Sequence, residues 1–578
     1  MHGVVLHGHF YQPPREHPWF ELVEREPSAF PDPDWNARIT RECYAPLSAM
    51  PLLDPEGRVE RVVNAYAYMS FNVGPTLLEW LERESPDTWA AMRAGDAASV
   101  SRHGGHGNAI ATPYHHIILP LASRRDKITE VRWGIADFKR RFGRDPEGFW
   151  LPECGVDEET LEVLALEGIR FTILAPWQVA TPHPQGLPLR WDAGGGRSIA
   201  LCAYDGSLAG DVAFGQLVND DFALAQRIAV RAAHAGAAGP TLAFLATDGE
   251  TFGHHHRKGA ETLARALARV GAEPRLRLTN LAAWLAAHPA EHPAELRAPS
   301  AWSCAHGVGR WFRDCGCKAA ADRPTSQAWR TPLRDAMQTL ASLAHAHYVR
   351  EATPLLRDDP WAVRDAYGDV VALNGAPMEA WVRAQLRDPG GDVEAARTLL
   401  EMERAVLRCF TSCAWFFDDV SGLEVIQVLR YAAYVLDLGG RSAQWLPPFL
   451  GALSPAHSNH GTRESAADLF VRAVLPHRNP LARVAAGAVA RAHAEGAPAS
   501  GARRIGAMDV ECAGGTVRVT QRRTGRSIRW RYTVSEADGA VSLDSGASTV
   551  SPLTIAPADV AQHDALAIAA RSATRAIG

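Results

Sequence analysis

The sequence lacks any apolar run of about 18 residues, the length that a membrane-spanning helix requires. Its first ten residues, MHGVVLHGHF, also lack the basic and apolar regions of a secretory signal. Positive charge is not in excess, since 60 lysines and arginines stand against 65 aspartates and glutamates and the net charge is −5. We therefore expect a cytoplasmic protein whose main partner is neither a nucleic acid nor a membrane.

Cysteine is also scarce, with nine residues scattered over a chain of 578. An odd number at irregular spacing argues against a disulfide framework and indicates reduced thiols. Cys304, Cys315 and Cys317 do cluster near His306, and a zinc site is one interpretation of them. The ten residues between Cys304 and Cys315 break the usual paired zinc spacing. We therefore favour buried thiols in a long loop and predict neither a metal nor a cofactor.

The first half of the chain alternates short apolar runs with helical stretches. Runs this short, apolar on both faces, are typical of buried parallel strands. The segments between them have helical length and spacing, so an α/β barrel or sheet with six to seven strands is predicted. The predicted strands are 4–6, 62–63, 149–151, 171–174, 199–204 and 242–246, and the clearest helices are 128–142 and 222–235.

The pattern changes near residue 325, where amphipathic helices take over. Thr331 followed by Pro332 is typical of a helix start, and the pair Ser421 and Glu424 has the spacing of a capping box. Residues 516–533 alternate like two strands. We predict an α/β barrel or sheet domain over 1–320, an α-helical bundle over 321–494, a linker over 495–504 and a small β-containing segment over 505–578.

Polar side chains follow several predicted strands. In barrels and open parallel sheets the active groups lie at the carboxyl ends of the strands, so these positions are candidates for binding and catalysis. The candidates at or after strand ends are His7, His9, Gln12, His106, Asn108, Trp150, Glu153, Asp248 and the run His254, His255 and His256.

Two carboxylates stand directly after apolar runs and are flanked by turn formers, namely Glu153 and Asp248. Cleavage of a glycosidic bond requires such a pair, one as nucleophile or base and one as proton donor. The alternative is structural: Glu153 would cap the helix that begins near Asp157, and Asp248 would form an Asx turn.

Histidine and tryptophan near these positions allow two further interpretations. His7, His9 and the run 254–256 could hold zinc, but no histidine pair with helical spacing stands beside a pair of strand-end aspartates, as a metal-dependent deacetylase would need. Tryptophan rings could stack on the apolar faces of sugars. The tryptophans in question are Trp150, Trp177, Trp302 and Trp311, each of which could also be core.

Four ordered motifs resemble those of the family 57 glycoside hydrolases, which act on α-glucans. They are His7-x-His9 with Gln12-Pro13, then His106-Gly107-Asn108, then Trp150 to Glu153, and Asp248 to Gly253. The resemblance implies an incomplete (β/α)7 barrel followed by a helical domain, with Glu153 as nucleophile and Asp248 as general acid/base of a retaining reaction. The later helices resemble the uncharacterised domain of one branch of that family. Two departures, the inserted Phe10-Tyr11 and Thr251 in place of lysine, leave specificity open.

The leading hypothesis is therefore a retaining enzyme of α-1,4-glucans or maltooligosaccharides: an α-amylase-like hydrolase, a 4-α-glucanotransferase or a branching enzyme, with hydrolysis favoured. The alternatives are a metal-dependent carbohydrate deacetylase on a similar barrel and a non-catalytic glucan-binding protein. A retaining reaction predicts that the carboxyl groups of Glu153 and Asp248 lie about 5 to 5.5 Å apart. We expect His7, His9 and His106 along one wall of that cleft, with Trp150 or Trp302 facing the pair.

Overall fold

The computed structural model describes residues 2–180, 182, 186–233, 240–320, 322, 324–461, 464–478, 480–496, 499–546 and 553–555. The chain divides into two compact units. The N-terminal unit comprises Met1–Pro13 and Trp35–Arg310, and the C-terminal unit comprises Pro14–Asp34 and Trp311–Gly578. None of the described helices is both long and apolar enough to cross a membrane.

The N-terminal unit alternates strands and helices. Its strands are β1 (His2–Phe10), β2 (Met50–Leu53), β3 (Val59–Val63), β4 (Ser70–Val73), β5 (Gly148–Phe149), β6 (Phe171–Leu174), β7 (Leu189–Gly194), β8 (Arg197–Ala203), β9 (Leu242–Asp248) and β10 (Leu276–Leu278). Its helices are α1 (Trp35–Ile39), α2 (Ala45–Ser48), α3 (Pro75–Glu84), α4 (Pro86–Arg102), α5 (Arg124–Phe142), α6 (Glu158–Leu166), α7 (Gly206–Ala213), α8 (Asp221–Ala233), α9 (Gly259–Ala272) and α10 (Leu281–Ala287).

The strands that carry the site are parallel. In one sheet β1 pairs in parallel with β4, β9 and β10, and in another β6 pairs in parallel with β5 and β8. Isolated parallel bridges join Ala109 to Phe71 of β4 and Ala111 to Phe149 of β5, so the short segment 109–111 connects the two sheets. The predicted α/β architecture of parallel strands and intervening helices is therefore present.

Some predicted elements differ from those in the structure. Residues 62 and 63 belong to β3, which forms an antiparallel hairpin with β2, and Val62 is 61% exposed rather than buried. The parallel segments 70–73 and 109–111 were not predicted, because both are short and the polar residues Ser70 and Asn72 interrupt the first. Helix α5 begins at Arg124 because the Ser123 side chain caps it, accepting from the Asp126 amide. Residues 234 and 235 of the predicted helix 222–235 lie outside the described residues.

The C-terminal unit contains helices and one antiparallel sheet. The helices are α11 (Arg330–Leu355), α12 (Pro360–Ala366), α13 (Ala376–Gln385), α14 (Val393–Arg408), α15 (Cys413–Phe416), α16 (Leu423–Gly439), α17 (Ser442–Leu453), α18 (Ala466–Leu469) and α19 (Pro480–Ala494). The sheet runs in sequence order through β11 (Gly501–Ile505), β12 (Met508–Ala513), β13 (Thr516–Gln521), β14 (Ser527–Val534), β15 (Val541–Asp544) and β16 (Leu553–Ile555). Residues 501–504 of the predicted linker therefore lie in a strand.

Two predicted helix starts are displaced. The N-cap of α11 is Trp329, and the Thr331 hydroxyl instead donates to the Phe312 carbonyl. The N-cap of α16 is Gly422 without a side-chain cap, because the Ser421 amide and hydroxyl both donate to Asp419. In both cases a partner outside the helix takes the hydroxyl that the sequence pattern assigns to the cap.

A buried ion-pair group lies inside the C-terminal unit. Arg404 contacts Glu21 at 3.0 Å and Glu401 at 3.1 Å, and Arg523 contacts Glu21 at 2.8 Å. The Tyr367 hydroxyl donates to Glu401 at 2.5 Å. These contacts tie the segment 14–34 to helix α14 and to the turn after β13, so residues 14–34 are part of the C-terminal unit although they precede most of the N-terminal unit in sequence.

Candidate active site

Glu153 follows β5 in an uncommon backbone conformation. Its φ is 58° and that of Cys154 is 49°, so two successive residues other than glycine occupy the left-handed region. Such a conformation costs of order 1 kcal/mol or more per residue and persists only where the surroundings hold it. It directs the Glu153 carboxylate to Trp302, whose Nε1 donates at 3.0 Å, and to Ser303, whose hydroxyl donates at 2.6 Å.

The surroundings of Glu153 act in two directions on its proton affinity. Burial raises the pKa of Glu153, while the donors Ser303 and Trp302 and the positive charge of Arg310 favour the ionised form. Arg310 is buried and also donates to the Ser303 carbonyl at 3.2 Å. The capping alternative does not hold, because the N-cap of α6 is Asp157, which accepts from the Thr160 amide at 2.8 Å.

Asp248 is the last residue of β9 and lies opposite His9 in the parallel pairing with β1. Its side chain makes no capping hydrogen bond to the turn that follows, so the Asx-turn alternative does not hold either. Burial, and then the charges of Glu250 and Glu153, hold the pKa of Asp248 well above its usual range. This residue is therefore the protonated member of the pair when Glu153 is ionised.

Glu250, two residues further on, has different partners. Its Oε1 accepts from the Tyr44 hydroxyl at 2.5 Å and from the Tyr11 amide at 3.2 Å. Burial raises the pKa of Glu250 to about 7 against these hydrogen bonds. The predicted site residue Gln12 lies in the same place and donates to the Tyr44 hydroxyl at 3.3 Å. Glu250 thus anchors the loop after β1 and acts on Asp248 through its charge.

A chain of neutral side chains runs along the ends of β1 and β4. Ser70 contacts Nδ1 of His7 at 2.9 Å, and Nε2 of His7 contacts Oδ1 of Asn72 at 3.1 Å. Nδ2 of Asn72 then contacts Nδ1 of His9 at 3.0 Å, and Nε2 of His9 faces Nε2 of His116 at 3.3 Å. Burial lowers the pKa of His7 and of His9 to about 3 despite Asn72. Both imidazoles are therefore neutral at physiological pH.

Aromatic rings pack around His9. Trp150 stacks on it with ring centroids 4.6 Å apart, and Trp302 lies edge-on to Trp150 at 5.1 Å. Tyr11 stacks on His116 at 3.6 Å. Trp150 has no exposed surface, so it supports His9 instead of offering an open face to a ligand, whereas Trp302 is half-buried. The structure thus brings His7, His9, Trp150 and Trp302 together.

Three further predicted site residues are His106, Asn108 and Trp311. His106 pairs with Glu147 at 2.9 Å, before the start of β5 and hence at the amino end of that strand. Asn108 is buried, where it donates to the Tyr66 carbonyl and accepts from Asn280. Trp311 has no exposed surface and is part of the C-terminal unit. Substrate binding by His106, Asn108 and Trp311 stays a prediction.

The histidine run after Asp248 does not converge on one point. His254 pairs with Glu42 at 2.6 Å, and Nε2 of His256 contacts the Ala213 carbonyl at 3.4 Å. Sequence reasoning missed Ser70, Asn72, Arg310 and Ser303 as site residues. Only Ser303 carried a signal, its position beside Trp302, because contacts between distant segments leave no local pattern.

Comparison with known proteins identifies the family. The model described as Glycosyl hydrolase family 57 matches residues 6–291. Residues 6–291 belong to this family. Because this part of the chain matches the family, the protein is a glycoside hydrolase or transferase enzyme. A second model, Domain of unknown function (DUF3536), matches residues 326–540. No curated protein matches the chain.

Solved structures share its fold. The exo-type maltose-forming amylase of Pyrococcus sp. ST04 matches with a TM-score of 0.60 and 15% identity, over 79% of this chain and 84% of that one. The α-amylase AmyC of Thermotoga maritima matches with a TM-score of 0.48 and 13% identity, over 82% of this chain and 100% of that one. The branching enzyme of Pyrococcus horikoshii matches with a TM-score of 0.45 and 14% identity, over 86% and 92%. At these identities the likeness concerns the fold alone.

Proposed function

We propose that the chain is a retaining enzyme of α-glucans in which Glu153 is the nucleophile and Asp248 the general acid/base. The observation that carries this proposal is that two carboxyl groups which interact electrostatically have different surroundings. Glu153 accepts hydrogen bonds from Trp302 and Ser303, which favour its ionised form. Burial and two neighbouring carboxylates keep the proton on Asp248. A retaining glycosidase needs this division between nucleophile and acid.

The architecture supports the proposal. We infer that the parallel segments β9, β1, β4, 109–111, β5, β6 and β8 form an incomplete (β/α)7 barrel. The Asp205 amide, just after β8, donates to the Phe244 carbonyl of β9 at 2.8 Å, which marks the seam between the first and last of these segments. Both carboxyl groups then stand at the carboxyl ends of barrel strands, where such enzymes carry their active sites.

The reaction follows from these positions. The Glu153 carboxylate attacks the anomeric carbon while Asp248 gives its proton to the glycosidic oxygen, so the bond from carbon to that oxygen breaks and a glycosyl ester forms on Glu153. Asp248, now ionised, takes a proton from water or from a sugar hydroxyl, which attacks the ester and frees Glu153. The net stereochemistry is retention. The carboxyl groups should lie about 5 to 5.5 Å apart for this mechanism.

The neutral groups near the pair suit a sugar substrate. His9 and His116 can donate to and accept from hydroxyl groups without bringing a charge into the site. Trp177 is 49% exposed, and its Nε1 donates to the Ala301 carbonyl next to Trp302. Such rings can stack on pyranose faces. The family resemblance and the maltose-forming amylase that shares the fold support an α-glucan, and we propose hydrolysis ahead of transfer or branching.

The test is incubation of the purified chain with maltoheptaose and with amylose, followed by chromatography and by nuclear magnetic resonance of the first anomer formed. We expect shorter α-anomeric products. Products longer than maltoheptaose would assign a transferase within the same mechanism and overturn the hydrolase proposal. Release of acetate from acetylated chitooligosaccharides without any cleavage of glucan, or first products in the β-configuration, would contradict the retaining α-glucan enzyme altogether.

A further inference from the structure

We propose that Cys304, His306, Cys315 and Cys317 form a structural zinc site. One ligand atom from each residue, the three sulfurs and a ring nitrogen, lies within 4.8 Å of every other. Cys304 is buried, Cys315 and Cys317 are half-buried, and His306 is exposed. This group is separate from the carboxyl pair, and its composition is that of a closed zinc centre with three cysteines and one histidine.

The spacing of the ligand atoms is close to what zinc requires. With zinc–sulfur distances of about 2.3 Å, the sulfurs of a tetrahedral site lie roughly 3.8 Å apart. The four atoms, all within 4.8 Å of one another, therefore need to move by no more than about 1 Å towards a common centre. No disulfide joins any of the nine cysteines, all of which lie in described parts of the chain.

The four ligands come from one continuous stretch, residues 304–317, so their geometry is that of a single loop. Two turns fold this loop back on itself. Gly307 follows the histidine with a φ of 75° and lies so close to the Pro299 carbonyl oxygen that a Cβ would approach it to 2.7 Å. Gly316, with a φ of 80°, separates the last two cysteines. The loop thereby brings Cys315 and Cys317 back to Cys304 and His306, a proximity that the spacing along the sequence does not reveal.

The donor set favours zinc over other cations. Thiolates exclude magnesium and calcium, which prefer oxygen, and three thiolates with one imidazole fill all four positions of a tetrahedral ion. Binding releases the three thiol protons and forms three zinc–sulfur bonds and one zinc–nitrogen bond, with no change of oxidation state. Because no coordination position remains open for water, the site is structural and not catalytic.

The site has a consequence for the proposed function, on which this step rests. Cys304 directly follows Trp302 and Ser303, the two residues that donate to Glu153. Zinc bound at Cys304 would hold these donors in place and so fix the orientation of the Glu153 carboxylate. These zinc ligands are therefore positioning residues for Glu153, and they do not themselves touch a substrate.

The experiment measures metal content of the full-length chain, purified under reducing conditions with added zinc and then dialysed. We expect one zinc per chain, with an X-ray absorption spectrum showing three sulfur neighbours near 2.3 Å and one nitrogen near 2.0 to 2.1 Å. The variants Cys315→Ser and His306→Ala should retain less than about a fifth of the zinc, whereas Cys202→Ala, a buried cysteine of β8, should retain all of it. His306 is exposed, so His306→Ala tests the site without disturbing a core.

Three results would overturn the zinc site: reduced chain that takes up no zinc, equal zinc loss in Cys202→Ala, or an absorption spectrum with oxygen neighbours in place of sulfur. Failure of the zinc site can be distinguished from failure of the proposed enzyme function. A chain that binds one zinc but cleaves no glucan supports the site and contradicts the proposed function. A chain that cleaves glucan without any bound zinc contradicts the site and leaves the function intact.

Discussion

The molecule holds two groups of buried carboxylates that differ in their counter-charges. The first group lies at the strand ends of the N-terminal unit, where burial raises the pKa of each member. The second lies in the C-terminal unit, where arginines outweigh the same effect of burial and hold each pKa below its usual range. The first group is Glu153, Asp248 and Glu250; the second is Glu21 and Glu401.

This difference in counter-charge predicts different roles for the two groups, proton transfer for the first and stability for the second. A buried carboxylate paired with arginine is a permanent ion, and removal of its partner leaves an uncompensated charge. A buried carboxyl group without such a partner exchanges protons in the range where enzymes work, which is why perturbed pKa values are typical of functional sites. Among the described residues, Arg310 is the one whose positive charge lowers the pKa of Glu153, and under the proposed function this scarcity of cations allows the group to transfer a proton.

The largest effect is expected for Glu153→Gln. The amide keeps the shape of the side chain and can accept from Trp302 and Ser303, but it cannot form the glycosyl ester. Turnover of maltooligosaccharides should fall by about 10⁴-fold or more, with an unchanged circular dichroism spectrum and melting temperature within a few degrees. Glu261→Gln, on the exposed face of α9, is the matched control and should keep the full rate. A Glu153→Gln enzyme with a tenth of the wild-type rate would remove the nucleophile assignment.

The next effect concerns the proton donor. Asp248→Asn should lower kcat on amylose by about 10² to 10⁴-fold, because the leaving oxygen receives no proton. On an aryl glycoside whose leaving group departs as an anion, formation of the glycosyl-enzyme should be nearly unaffected. Added azide should then restore turnover, since azide needs no base, and the product should be a glycosyl azide of retained configuration. Equal losses on both substrates, without azide rescue, would argue against the acid/base role.

A substitution in the C-terminal group should lower the stability of the protein and leave kcat unchanged. Arg404→Met leaves Glu21 and Glu401 with one cation fewer, and breaking a buried pair costs about 3 to 5 kcal/mol. Calorimetry of the full chain should show a large fall in the melting temperature, while kcat measured well below that temperature should be unchanged. Arg491→Met, which removes an exposed pair with Glu495, should cost no more than about 1 kcal/mol. A fall in kcat of Arg404→Met, measured well below its melting temperature, would contradict a purely structural role of this group.

The smallest expected effect is an opposite dependence of stability on pH. The folded pKa of Asp248 lies above its unfolded value, so its contribution is favourable below about pH 4 and is lost as the pH rises through the folded pKa. Asp248→Asn should therefore raise the melting temperature at pH 8 by a few degrees and leave it unchanged at pH 4.

Glu401 provides the contrasting case. Its folded pKa is lowered, so its contribution is present above the unfolded pKa and is lost as the pH falls through the folded value. Glu401→Gln should accordingly lower the melting temperature at pH 8 and have a smaller effect in strong acid. Shifts of the same sign in Asp248→Asn and Glu401→Gln at pH 8 would contradict the distinction between the two groups.

Local patterns in the sequence indicated several residues of the candidate active site, but not the residues that form hydrogen bonds to them. An apolar run followed directly by polar residues marks a strand end, and that signal located His7, His9, Glu153 and Asp248. Asn72 escaped notice because β4 has only four residues and begins with a serine. The supports of Glu153 are also hidden, since Ser303 lies 150 residues away in the chain. Contacts between distant segments depend on the fold as a whole, which a single sequence shows only through local periodicity.

The same limit applies to His106, Asn108 and Trp311, whose role in substrate binding stays a prediction. His106 and Asn108 stand near an unpredicted parallel segment, 109–111, and a motif alone could not tell which end of it they occupy. The structure places His106 at the amino end of β5, beside Glu147. Trp311 has the residue type of a sugar platform, but the structure buries it completely. Residue type therefore predicted the chemistry, and packing decided which side chains are accessible.

Trapping of the covalent intermediate tests the central claim most directly. A 5-fluoro-α-glucosyl fluoride should glycosylate the enzyme, with loss of fluoride, faster than the glycosyl ester turns over, and peptide mass spectrometry of the trapped chain should place one glycosyl group on Glu153. The Asp248→Asn variant should accumulate the same adduct, because the fluoride leaves without a proton. A glycosyl group on Asp248 or Glu250, or hydrolysis of the reagent with inversion and without any adduct, would contradict the account.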